Sequence, residues 1–226
     1  MFRLFRKDSG LLVREVAGIS FRNPLGVFYS EAGRHFASAK RTNAAFITLS
    51  PPSGGILQWI GQLQDYRSKC VLAVNLSADI QRSFSLVYDF ADLIVLAPDS
   101  DNGIDATDIA DTQHLIDEVV SLRLCYERYT PIFLRLSHGL TEEELRSLLS
   151  SCQMSGVDGA FVPGRRMLSL AKEITLGRFP LVGVADTQEE ALEMIQEGYP
   201  LVETKLKPVA ACKLLKTIEN QAQNKK

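Results

Sequence analysis

The chain has 226 residues, 46% of them hydrophobic and 23% charged, with a formal net charge of −2 at neutral pH. That length can bury one sizeable core, and the composition is that of an ordinary globular protein. The near-neutral balance, with basic residues scattered, leaves no electrostatic footprint for nucleic acid, and no apolar run approaches the ~18 residues of a membrane helix. Cys70, Cys125, Cys152 and Cys212 are far apart, with no Cys-x-x-Cys pair and no histidine at ligand spacing. Reduced thiols in a cytoplasmic protein are therefore expected, rather than disulfides or a structural metal. The start, MFRLFRKDSG, has neither the apolar core nor the small-residue cleavage site of a signal peptide.

In chain order, residues 11–19 read as a strand outside the main sheet, as a lid or hairpin. Residues 24–30 (PLGVFYS) form the first main strand and lead to a helix over 31–41; residues 44–50 (AAFITLS) form the second strand. PPSGG at 51–55 breaks the chain before a helix over 56–67. The third strand is 71–75, with Asp79 as N-cap of a helix to 90, and the fourth is 92–97. An acidic loop, DSDNGIDATDIAD, precedes a helix over 113–129. Its Asp99-x-Asp101 with Gly103 lacks a third acidic ligand, and Ala110 stands where a calcium loop needs glutamate, so helix capping and solvation explain it better.

The clearest unit runs from Pro131 to Arg166. A short apolar strand (131–137) is followed by Thr141 as N-cap, Glu142, Glu143 and Glu144 in the first turn, and Leu145, Leu148, Leu149 and Cys152 along one helical face. Gly156 ends the helix and 159–163 forms the next strand, which makes a right-handed βαβ unit with parallel strands. A helix over 166–176, a strand at 180–185, a helix capped by Asp186 or Thr187 and closed by Gly198, a strand at 200–205 and a helix from Pro208 to 220 complete the pattern. Eight strand–helix units without a composition break predict one (β/α)8 barrel domain over residues 1–226, with 1–10 and 221–226 frayed; a doubly wound sheet is the alternative.

In such a barrel chemistry sits at the C-terminal strand ends. That singles out Tyr29, Ser30, Thr48, Ser50, Asn75, Asp99, Asp101, Arg135, His138, Arg165, Arg166, Lys205 and Lys207. Arg135 either binds an anion or pairs with a carboxylate such as Asp158. His138, beside Gly139, is either a general base or a solvated loop histidine. Arg165 and Arg166 with Lys205 and Lys207 lie near the customary phosphate site of late barrel loops. No Ser–His–Asp grouping can be assembled, and His35, His114 and His138 are too dispersed for a metal site.

Several runs, in order, resemble the FMN-dependent dihydroorotate dehydrogenases: VAGISFRNPLG at 16–26, ITLSP at 47–51, VNL at 74–76, ADLIV at 91–95, LRL at 134–136 with LTEE at 140–143, and GVDG at 156–159. VGV at 182–184, EAL at 190–192 and Gly198-x-x-Leu201-Val202 are similar to the family's final phosphate-binding units. The resemblance implies the barrel and an FMN-dependent oxidation of dihydroorotate.

The departures fall on the family's working residues. Phe28, Tyr29 and Ser30 replace the Ala-Ala-Gly that lets the flavin approach, so Phe28 and Tyr29 are expected to block that pocket, with only one of the two pointing into the barrel mouth; Gly33 stands at a lysine position. The Asn-Arg-x-Gly-Phe-Asn segment is missing between Pro52 and Val71, and Ala97 falls where the family carries its catalytic base. Arg135 matches the flavin-contacting lysine, Pro163-Gly164-Arg165 replaces Thr-Asn-Thr, and Gly183-Val-Ala-Asp186 replaces a glycine-rich phosphate loop. The expectation is a cytoplasmic pseudoenzyme with no FMN, no metal and no catalytic residue, binding a small anionic ligand or a protein, with a homodimer possible. Its ligand-binding candidates are Thr48, Asn75, Arg135, Arg165 and Lys205. The alternative is an active FMN-dependent oxidoreductase acting on dihydroorotate or a related substrate of pyrimidine biosynthesis.

Overall fold

Apolar runs too short for helices, each bounded by glycine, proline or a polar turn, become strands buried on both faces. In the computed structural model, which describes residues 12–29, 42–52, 56–64, 70–77, 79–97 and 109–224, eight of them form the wall of the molecule. An antiparallel hairpin comes first, β1 (Arg14–Val16) and β2 (Ile19–Phe21). Then β3 (Leu25–Tyr29), β4 (Phe46–Leu49), β5 (Val71–Leu76), β6 (Leu93–Leu96), β7 (Ile132–Arg135), β8 (Gly159–Pro163), β9 (Leu181–Ala185) and β10 (Leu201–Thr204) pair in parallel, in sequence order. β10 returns to β3 with Val202 opposite Leu25 and Thr204 opposite Val27, which closes the ring. The (β/α)8 barrel expected from the strand–helix alternation is the observed architecture, and the doubly wound alternative falls with that closure.

Seven helices lie among the described residues: α1 (Ile56–Gln64), α2 (Ile80–Val87), α3 (Ile109–Arg123), α4 (Glu142–Ser155), α5 (Arg165–Ile174), α6 (Gln188–Gln196) and α7 (Pro208–Asn224). The helix expected over 31–41 lies outside the described residues. Local chemistry sets several boundaries. Thr141 and Glu144 form a reciprocal capping box at the start of α4, and Gly156 ends it at φ 82°. Thr187 accepts from the Glu190 amide at the start of α6.

Three expectations need correction, and one is met. Asp79 precedes α2 in a left-handed conformation (φ 43°), and its side chain makes no capping hydrogen bond. The helix expected over 113–129 starts earlier and ends at Arg123. The lid or hairpin expected outside the main sheet from residue 11 is found as β1–β2, which reverses at Ala17 and Gly18, both at positive φ. α7 continues to Asn224, past the end expected at 220.

Strand alternation sorts the core into two shells. Phe46, Ala73, Leu93, Val95, Phe133, Phe161, Val182, Val184 and Leu201 pack inside the ring, while their neighbours pack outward against the helices. Val16 and Phe21 of the hairpin belong to the inner cluster, so the hairpin floors the barrel at the N-terminal ends of its strands. The rings continue upward edge to face, Phe21 to Phe46 at 5.7 Å, Phe46 to Phe161 at 6.3 Å and Phe161 to Phe133 at 5.9 Å. Gly26 makes this column possible: a Cβ there would lie 2.0 Å from the Phe46 ring.

Candidate functional site

The interior turns polar at the C-terminal ends of the strands. Thr48 of β4, Asn75 of β5, Arg135 of β7 and Glu203 of β10 occupy inward positions, and all four are buried. Arg135 Nη1 lies 2.7 Å from Glu203 Oε2, with side chains 3% and 0% exposed. The contact is an ion pair by distance and not an aligned hydrogen bond, and Arg135 Nη2 has no hydrogen-bond partner among the described residues. The other Glu203 oxygen accepts from the Thr48 hydroxyl. Arg135 Nε donates to Asn75 Oδ1 at 3.0 Å, and Asn75 Nδ2 donates to Ser50 Oγ at 3.2 Å.

Aromatic faces complete the enclosure. The guanidinium carbon lies 4.9 Å from the Phe28 ring centroid and 4.7 Å from that of Phe161, and Lys205 Nζ is 5.7 Å from the Phe28 centroid. Desolvating two charges costs several kcal/mol per ion, so ring faces and fixed hydrogen bonds are what this pair needs around it. Tyr29, next along β3, belongs to the outer core instead. Burial, with Cys212 adding to it, pushes its phenol up to about 12. Phe28 thus points into the barrel, and Tyr29 packs on the helix side.

A second arrangement spans the loops after β8 and β9. Glu190, in the first turn of α6, accepts from the Arg165 amide at 3.2 Å and from the Asp186 amide at 3.0 Å. Its carboxylate therefore sits on backbone N–H groups of the kind that hold a ligand's phosphate at a helix N-terminus. The Arg165 side chain turns away to Glu193 and, at 2.6 Å, to Glu197. The Glu197 charge, followed by the Glu193 hydrogen bond, holds the guanidinium pKa above its usual value. His138 Nε2 stands 3.8 Å from Asp186 Oδ2 with both groups exposed. Beside these loops is a cleft of about 630 Å³ whose lining includes His138, Leu140, Arg165, Arg166 and Met167.

The expected residues thus divide. Thr48, Ser50, Asn75 and Arg135 converge in one network; Lys205 stands over the Phe28 ring at its edge; Arg165 is engaged elsewhere. Ala97 is buried at the end of β6 with its amide bonded to Leu76 O. Ser30, Asp99 and Asp101 lie outside the described residues. The Asp158 partner suggested for Arg135 is corrected: Asp158 precedes β8, at the opposite end of the barrel, and takes Arg123 at 2.6 Å and the Ile132 amide at 2.8 Å. Glu203 and Glu190 were not among the sequence candidates. Glu203 had a signal, since an acid at an inward position of an apolar strand needs a cation. Glu190 looked like any first-turn helical glutamate.

A closed parallel (β/α)8 barrel with a polar layer at its C-terminal strand ends defines the class of the molecule. No family model matches the chain, and no curated protein sequence matches it. Among solved structures it is similar to dihydroorotate dehydrogenase of Eimeria tenella in complex with ferulenol, at 17% identity and a TM-score of 0.74, over 97% of this chain and 87% of that one. The ligand-free form of that enzyme gives 17% and 0.72, over 96% and 90%. A truncated 3-deoxy-D-arabino-heptulosonate 7-phosphate synthase from Thermotoga maritima gives 12% and 0.63, over 94% and 92%. Likeness at such identities concerns the fold. No helix among the described residues is long and apolar enough to cross a membrane, and none of their His, Cys, Asp and Glu side chains form a group of three or more suited to a metal.

Proposed function

We infer that the chain is a flavin-free, catalytically silent barrel of the dihydroorotate dehydrogenase type, retained for binding a small anionic ligand. The observation that carries the flavin-free, silent part of this reading is the Arg135–Glu203 pair beside Phe28, which commits the inward cation to an internal carboxylate. Two further features support it. Glu190 holds backbone amides that a flavin phosphate would need, and Ala97 supplies no proton acceptor where the resemblance puts the base. Loss of a general base alone removes a factor of about 10²–10⁴ in rate. The residues present do not suit FMN.

The test is purification from a flavin-replete host, followed by an absorbance spectrum and an assay of dihydroorotate oxidation with an artificial electron acceptor. We expect flavin far below one per chain and no turnover above background. A yellow protein with one FMN per chain, or turnover of dihydroorotate above background, would restore the reading of an active FMN-dependent oxidoreductase.

A further inference from the structure

The cleft beside the late loops lies off the barrel axis, between the loop after β7 and the start of α5, and does not depend on whether flavin binds in the barrel. Its volume of about 630 Å³ falls in the range of small-molecule sites, roughly 300–1,000 Å³. Apolar lining comes from Leu140 and Leu145 on one side and Pro163, Met167 and Leu170 on the other.

The charged groups on its rim are, with one exception, already engaged. Glu142 pairs with Arg146 at 3.2 Å, and Glu190 holds the Arg165 and Asp186 amides. The Arg165 side chain is taken by Glu193 and Glu197, and His138 faces Asp186. The Thr141 hydroxyl belongs to the α4 capping box. Arg166 is exposed, lines the cleft, and has no carboxylate partner among the described residues.

Backbone geometry adds to that cation. The Leu168 amide donates to Gly164 O at 3.0 Å, so the Arg166 and Met167 amides stand ahead of the first intrahelical bond of α5. Gly164, as N-cap, has no side chain to satisfy them. A cavity with an apolar body, an unpaired guanidinium and a helix start at one end suits one chemistry: an oxyanion head joined to a compact apolar group.

We propose that the cleft binds small amphipathic anions, the head on Arg166 and the first turn of α5 and the body against Leu140, Leu145, Met167 and Leu170. Of the acids on the rim, Glu142 is paired with Arg146. Glu190 keeps its charge on the Arg165 and Asp186 amides and so directs the head away from the Arg165 amide, toward the Arg166 guanidinium.

Phenyl phosphate is the probe, titrated into the full-length chain by calorimetry, with amide shifts recorded by NMR. Saturable 1:1 binding is expected, with shifts centred on residues 138–145 and 164–170. Arg166→Ala should weaken it about tenfold or more, the scale of one charge-assisted contact. Inorganic phosphate and benzyl alcohol, each carrying half of the ligand chemistry, should also bind at least tenfold more weakly. Because Arg166 is exposed, its variant should keep the wild-type melting temperature; Met167→Glu places a like charge at the same end and should abolish binding. The proposal is overturned if phenyl phosphate does not saturate, or if both variants bind it as wild type does. It is equally overturned if inorganic phosphate binds as tightly, since the apolar walls would then be idle.

Discussion

Arg135 carries a guanidinium into the barrel beside Glu203, Asn75 and two aromatic rings, and each neighbour offsets part of the cost of leaving water. Removing one member leaves the other charged, buried and alone. Arg135→Met or Glu203→Leu alone should each therefore destabilise the fold by ~3–5 kcal/mol. The double variant Arg135→Met with Glu203→Leu should recover most of that loss, since an apolar pair of similar volume needs no partner. Urea denaturation of the four proteins in a double-mutant cycle checks it, and additive losses would contradict it. The sequence made Arg135 visible, as a cation ending an apolar strand, but gave it the wrong acid. Asp158 is nearer in sequence and sits at the far end of the strands, whereas Glu203 is distant in sequence and adjacent across the ring. Only barrel closure brings residues 135 and 203 together.

Local signals were the most legible at the scale of elements. Thr141, three glutamates and Gly156 delimit α4 because capping needs only residues within one turn of each other. Thr141→Ala should lower stability by about 1 kcal/mol near neutral pH. The Thr141 backbone bond, then its hydroxyl, holds the Glu144 carboxyl below its usual range. A lowered folded-state pKa stabilises above the unfolded value and loses its contribution as pH falls through the folded one. The gap between wild type and Thr141→Ala should thus narrow in acid, which denaturant midpoints at about pH 7 and about pH 3 would report. Asp79 shows where local reasoning stops. Aspartate suits an N-cap, but the left-handed backbone there leaves its side chain without a capping bond. Likewise Ala17-Gly18 lacks the usual Asn-Gly or Asp-Gly signal, so a hairpin was expected there without a local mark of where β1 turns into β2.

For the whole molecule, alternation of apolar strands with helical faces was enough to predict the barrel, because every βαβ step is local and of fixed hand. What alternation cannot specify is how the two ends of the ring are finished. At the lower end Phe21 enters the inner cluster and meets Phe46 edge to face. Phe21→Ala should cost ~3–5 kcal/mol, as for other buried phenylalanines. If the hairpin were an ornament on the surface, thermal and urea unfolding would show almost no change. The upper polar layer needs β10 beside β3, and that pairing joins residues 202–204 to residues 25–27. The consequence concerns synthesis. While the chain emerges from the ribosome, β3 has a partner on one side only, and the growing wall keeps two open edges until the last strand has been made. Neither β3 nor β9, the edges left open before β10 is made, carries a proline or an inward lysine. The unfinished wall is therefore a template for other nascent chains, and the interval before residue 204 leaves the exit tunnel is when a holding chaperone matters most.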